Sequence, residues 1–150
     1  MKQYLILSAF LMLLLVGSSA CKKTSTGPDG GGNQVVMTAT VNGNAWSGII
    51  PFTGNNNGYH DFSAGDSNSV IAIYYIQADT GTYPINGNTG DSCFATYDLH
   101  QTEYISQTNS GTIHFSKITA SQVVGTFNFI ATDPANDTVR ITNGTFNIAL

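Results

Sequence analysis

From residue 35 to the C-terminus apolar and polar positions alternate and turn residues recur, while no window holds a helical period over three turns. That pattern predicts strands. Val35, Met37, Ala39 and Val41 form an every-second-residue apolar set that runs into Asn42-Gly43, a strong hairpin signal. Folding back there sets Trp46 opposite Ala39 on the same apolar face, as a core anchor or, alternatively, a ligand platform. Gly54 to Gly58 reads as a loop-rich stretch after Pro51, followed by a short strand over Tyr59 to Ser63. Val70 to Ile76 is apolar on both faces, as a central strand is. Gly81 to Pro84 reads as a brief edge segment, because proline cannot donate to a ladder. Ser92 to Leu99 is a further strand, with Glu103 to Ser106 as its partner.

The C-terminal third alternates most regularly. Ile113 and Phe115 oppose Thr112, His114 and Ser116, while Phe127 and Phe129 share one face and Val124, Thr126 and Asn128 the other. Asp133 to Asp137 is a turn. At Asn143-Gly144 two readings stand: a tight hairpin, or a bulge in one long strand. Either brings Val139, Ile141, Phe146 and Ile148 to one face. The expected fold is all-β, an antiparallel two-sheet sandwich or partly open barrel of about eight to ten strands.

A different pattern precedes this domain. Met1-Lys2-Gln3 is a basic start, Tyr4 to Val16 is continuously apolar apart from one Ser, and Gly17-Ser18-Ser19-Ala20 are small. This reads as an export signal, too short for a span that needs roughly 20 apolar residues. With Cys21 directly after it, the segment resembles the lipobox of bacterial lipoproteins, in which that cysteine becomes a thioether to diacylglycerol. Ser18 stands where Leu is usual. Ser18-x-Ala20 also satisfies ordinary signal peptidase, which would release a soluble protein. The expected organisation is a signal peptide over 1–20, a lipidated flexible tether over 21–34 and a domain over 35–150. Thr24 to Asn33, rich in Gly, Ser and Thr, has nothing to pack and suits a tether.

Acylated Cys21 implies a lipid membrane as partner, since acyl burial contributes about 0.8 kcal/mol per CH₂. Lys22-Lys23 would lie against its head groups. Without an Asp after Cys21, the expected address is the outer membrane. Lys22-Lys23 stands where a surface-export tag would be acidic, which favours the periplasmic face.

Charge narrows the partners further. Beyond residue 34 eight acidic side chains face only Lys117 and Arg140, so nucleic acid is excluded on electrostatic grounds. The second cysteine, Cys93, sits in the apolar run Cys93-Phe94-Ala95 and reads as a small buried hydrophobe.

Ala39 to Trp46 (Ala-Thr-Val-Asn-Gly-Asn-Ala-Trp), Gly81-Thr82-Tyr83, Gly125 to Phe129 (Gly-Thr-Phe-Asn-Phe) and Ile141 to Phe146 (Ile-Thr-Asn-Gly-Thr-Phe) occur in that order. The set resembles an uncharacterised family of small Bacteroidota lipoproteins, catalogued as a domain of unknown function. The resemblance implies the β fold and the export route and carries over no site residue.

No nucleophile elbow, phosphate loop, CxxC pair or HExxH is present. Asp98 and His100 would share a strand face, yet two ligands without a third make a weak metal site. Asp66-x-Asn68 and Asp133 to Asp137 offer oxygen ligands but also ordinary turn chemistry. No cofactor and no metal is expected, and no catalytic residue is assigned. The six tyrosines from Tyr59 to Tyr104 could supply an aromatic surface for sugar or peptide. Asp137-Thr138-Val139 resembles the Asp-Ser/Thr-apolar acceptor for O-glycosylation of exported Bacteroidota proteins, with Thr138 as the acceptor. The expected function is a non-enzymatic, membrane-tethered binding or accessory module of the cell envelope, with an envelope protein or glycan as partner. An envelope glycan hydrolase and a purely structural component are the alternatives.

Overall fold

The computed structural model describes residues 34–150, apart from 57, 77–78 and 88–91. Eleven strands follow one another: β1 (Met37–Val41), β2 (Asn44–Gly48), β3 (Ile50–Asn56), β4 (Tyr59–Gly65), β5 (Ser69–Tyr75) and β6 (Gly81–Ile85), then β7 (Cys93–Leu99), β8 (Thr102–Ser106), β9 (Gly111–Thr119), β10 (Gln122–Thr132) and β11 (Thr138–Ala149). They pair antiparallel in the order β2-β1-β11-β10-β8-β7-β5-β4-β3, with β9 on β10 and β6 on β9. The fold is all-β, as the alternation predicts.

The two ends of that order are neighbours in the chain. Between β2 and β3 lies only Ile49, whose N–H donates to the Gly65 carbonyl at the end of β4 at 3.0 Å. One continuous run therefore pairs β1 with its first half and β4 with its second, and the sheet nearly closes into a barrel. The stretch from Gly54 to Gly58 was expected as loop-rich, and residues 54–56 instead complete the strand that starts at Ile50. Its Asn and Gly content argues against one locally, but its backbone groups find the β4 ladder from Ile50↔Gly65 to Asn56↔Tyr59. Tertiary pairing overrides propensity there.

The Asn42-Gly43 hairpin forms with both residues at positive φ (48° and 85°), and Ala39 pairs with Trp46. At Asn143-Gly144 the strand continues through a bulge. Asn143 takes φ 52°, and the ladder with β10 shifts register between Phe127 and Phe129. The extra residue restores parity, so Val139, Ile141, Phe146 and Ile148 all point inward and are buried.

Aromatic rings fill the interior. Phe62 lies 4.7 Å from Phe146 and 6.4 Å from Phe115, and Phe115 lies 5.1 Å from Tyr75 (centroid distances). Small barrels are filled by side chains in this way.

Candidate functional site

Strand parity sorts the buried residues of β4, β5 and β7 into two sets. Phe62, Ala64, Ile71, Ile73, Tyr75, Ala95 and Tyr97 belong to the core. Ser63, Ala72, Phe94 and Thr96 are also buried, yet they lie on the opposite, outer face. Register aligns them into rows across the sheet. Phe52, Ser63, Ala72, Thr96 and Ile105 form one row over β3, β4, β5, β7 and β8; Gly54, Asp61, Tyr74 and Phe94 form the next. Small side chains thus floor a strip about 19 Å long, taking roughly 4.8 Å between strands. Phe52 (59% exposed) and Ile105 (41%) stand at its two ends.

One side of this strip is aromatic. Tyr74 stacks on Phe94 at 4.3 Å with the rings 5° apart, and Tyr59 meets Phe94 edge-on at 5.3 Å. The other side is acidic. There Asp98 on β7 pairs directly with Glu103 on β8; a third acid, Asp61, lies on the aromatic side, opposite Tyr74. From residue 24 to residue 116 the chain contains no Lys or Arg, so strands β1 to β8 supply no cation. Burial raises the Tyr74 phenol above its ordinary value, with Asp61 next and smaller contributions from Asp98 and Glu103. Burial likewise raises the Asp98 carboxyl. The Thr96 hydroxyl is buried and makes no hydrogen bond of normal geometry, although it lies close enough to Tyr74 to oppose that rise.

Beyond Ile105 the surface falls into an open depression of ≈ 650 Å³ lined by Glu103, Ile105, Thr132, Asp133 and Pro134 among others. The far side of the barrel differs in kind. Thr38 and Thr145 share a hydrogen bond at 2.7 Å, Thr82 and His114 one at 3.0 Å, and Asn128 donates to Thr112 at 3.0 Å. Those polar groups satisfy one another.

Trp46 is core: it is 8% exposed, and its Nε1 donates to the Ser69 hydroxyl at 2.8 Å. Cys93 is a buried free thiol, with its pKa pushed up to about 12 by burial. Tyr74 and Tyr75 point to opposite faces, and Tyr75 joins the core. The Asp98–His100 pairing does not form a site. His100 sits in the turn at φ 49°, where its charge acts on Asp66. Asp66 and Asp133 cap turns. Asp66 Oδ1 accepts from the N–H groups of Asn68 and Ser69 at 2.8 and 2.7 Å; Asp133 Oδ1 accepts from those of Ala135 and Asp137 at 3.0 and 2.8 Å. Among the described residues no three His, Cys, Asp or Glu side chains converge on a metal position.

Thr138 is exposed as the first residue of β11, with Val139 buried beside it. The signal peptide, Cys21 and the tether up to residue 33 lie outside the described residues. Phe52, Phe94 and Ile105 are not singled out by sequence reasoning. The one signal available is the two-sided apolar run from Val70 to Ile76, whose outer members, Val70, Ala72 and Tyr74, lie on this strip's face.

No curated protein and no solved structure matches the chain. A family model described as Domain of unknown function (DUF6252) matches residues 33–148, the whole barrel short of its last two residues, and the chain belongs to that family.

Proposed function

We propose that this protein is a membrane-tethered binding module of the bacterial cell envelope, anchored by lipid on Cys21 and recognising its partner with the outer face of β3, β4, β5, β7 and β8. The observation that carries the reading is the strip itself. Apolar side chains stand exposed at both ends of a floor of small residues, beside stacked rings, on a barrel whose interior is already filled. Exposed aromatic and aliphatic side chains beside polar groups are what interaction surfaces are built from. A purely structural component would need no such face.

The hydrolase alternative would draw on Glu103 and Asp133 in the depression next to the strip. Glu103 is exposed, and Asp133 is committed to two backbone N–H groups as a turn cap. Neither carboxylate is buried away from water, where a catalytic acid would be set apart. The binding reading is therefore preferred.

Two measurements test it in the native host. Acyl label should enter the wild-type chain and not Cys21→Ser, because the thiolate is the nucleophile in that modification. A photo-crosslinking residue at position 52 or 105 should yield adducts in the envelope, whereas one at position 126 on the far side should not. Label on the Cys21→Ser chain would refute the anchor, and equal adducts from both sides would refute the binding face.

A further inference from the structure

We propose that the outer strip binds a basic polypeptide segment that turns both Lys or Arg and apolar side chains toward it, an inference that rests on the strip being the binding face. Asp98 and Glu103 are direct cross-strand partners, so their Cβ atoms lie about 5 Å apart and their like charges repel. No Lys or Arg of β1 to β8 relieves that repulsion, since those strands contain none. One guanidinium or ammonium between the two carboxylates replaces the repulsion with charge-assisted hydrogen bonds. Asp61, opposite Tyr74, provides a second acidic position beside aromatic rings, where a cation gains from ring contact as well as from the carboxylate.

The apolar features fit the same ligand. Phe52 and Ile105 stand four strands apart, a span of about 19 Å. An extended segment of about six residues covers that length at roughly 3.3 Å per residue and presents every second side chain to the floor. An acidic polymer is repelled by this surface. A neutral glycan can use the rings, but it leaves the Asp98–Glu103 repulsion in place.

The test uses the full chain and a fluorescein-labelled hexapeptide, Arg-Arg-Phe-Phe-Arg-Arg, which puts both Arg and Phe on each face when extended, read by anisotropy. The controls are the same peptide with Glu for Arg and, as a competitor, maltohexaose. The Arg peptide should bind, and its affinity should fall steeply with added salt, because exposed charges are screened within about 10 Å at 0.1 M. Asp98→Asn/Glu103→Gln should weaken it tenfold or more and flatten the salt dependence. The double variant should melt no lower than wild type, since it removes a repulsive pair. Asp137→Asn, away from the strip, should bind as wild type does. Equal binding by the double variant, or by the Glu peptide, would overturn the proposal. Maltohexaose binding that Phe52→Asp abolishes, with no Arg-peptide binding, would retain the binding face and overturn the ligand class. No binding by any probe at millimolar concentration would overturn both.

Discussion

Trp46 shows how one side chain ties two hairpins together. Its ring is buried against the core, and its one polar atom reaches the Ser69 hydroxyl, which in turn donates to Asp66 Oδ1 at 3.1 Å. Trp46→Ala should cost about 3–5 kcal/mol, the range for emptying an aromatic site, as measured by denaturant unfolding. An unchanged midpoint would place the ring outside the core. The far end of the chain makes the fold acid-sensitive. Burial alone would raise the Asp66 carboxyl, but hydrogen bonds from Asn68 and Ser69 outweigh it and hold the group below its ordinary 3.8. A folded pKa below the unfolded one gives stability that is complete above the unfolded value and lost as pH falls through the folded one. Thermal melts should therefore drop more steeply below about pH 4 in wild type than in Asp66→Ala. Parallel pH profiles would remove Asp66 from this role. Cys93 makes the opposite case. Its thiol, 1% exposed and raised to about 12, offers almost no thiolate at neutral pH. In a Cys21→Ser background it should resist a thiol reagent until denaturant is added; rapid labelling of the native chain would contradict the burial.

At the scale of elements, β10 and β11 are held by a reciprocal pairing of glycine with phenylalanine. Gly125 pairs with Phe146 and Phe127 with Gly144. A Cβ at Gly144 would stand 2.6 Å from the Phe127 ring; at Gly125 it would stand 2.0 Å from the His114 carbonyl oxygen and 2.5 Å from the Phe146 ring. Both rings are buried and neither has room to retreat. Gly125→Ala should thus cost at least the roughly 1–3 kcal/mol typical of overpacking, with the backbone clash pushing it upward. Gly43 provides the contrast. It has φ +85° and open space around it, so Gly43→Ala should show only the smaller conformational penalty, about 1 kcal/mol. Equal losses in the two variants would mean that close approach does not govern the β10–β11 pair.

The described residues form a nearly closed sheet whose outer faces differ. The far side pairs its own hydroxyls and amides, while the strip across β3 to β8 exposes Phe52 and Ile105 and gathers Asp61, Asp98 and Glu103. The exposed hydroxyl of Thr138 beside buried Val139 meets the access requirement for O-glycosylation. Intact mass of the protein from its native host should show hexose-sized additions that disappear in Thr138→Ala. Their absence, or their persistence in the variant, would rule this position out.

Local signals sufficed wherever they acted at short range. Asn42-Gly43 sets its own turn because those residues tolerate positive φ, and alternation over Ile113 to Ala131 sorts core from surface because successive strand side chains face opposite ways. Those signals carry the fold class, the core role of Trp46, the burial of Cys93 and the inward set from Val139 to Ile148. They fail where long-range pairing decides. The Gly- and Asn-rich residues 54–56 become strand only because β4 offers a ladder, and the ambiguity at Asn143-Gly144 resolves to a bulge only because β1 and β10 flank β11 on both sides there. The candidate site belongs to this second kind. Phe52, Tyr74, Phe94, Thr96 and Ile105 lie on four separate hairpin arms, and no local pattern relates them. They share a face through the register of β3 to β8, which three hairpins and the β5–β7 pairing across the intervening β6 set together.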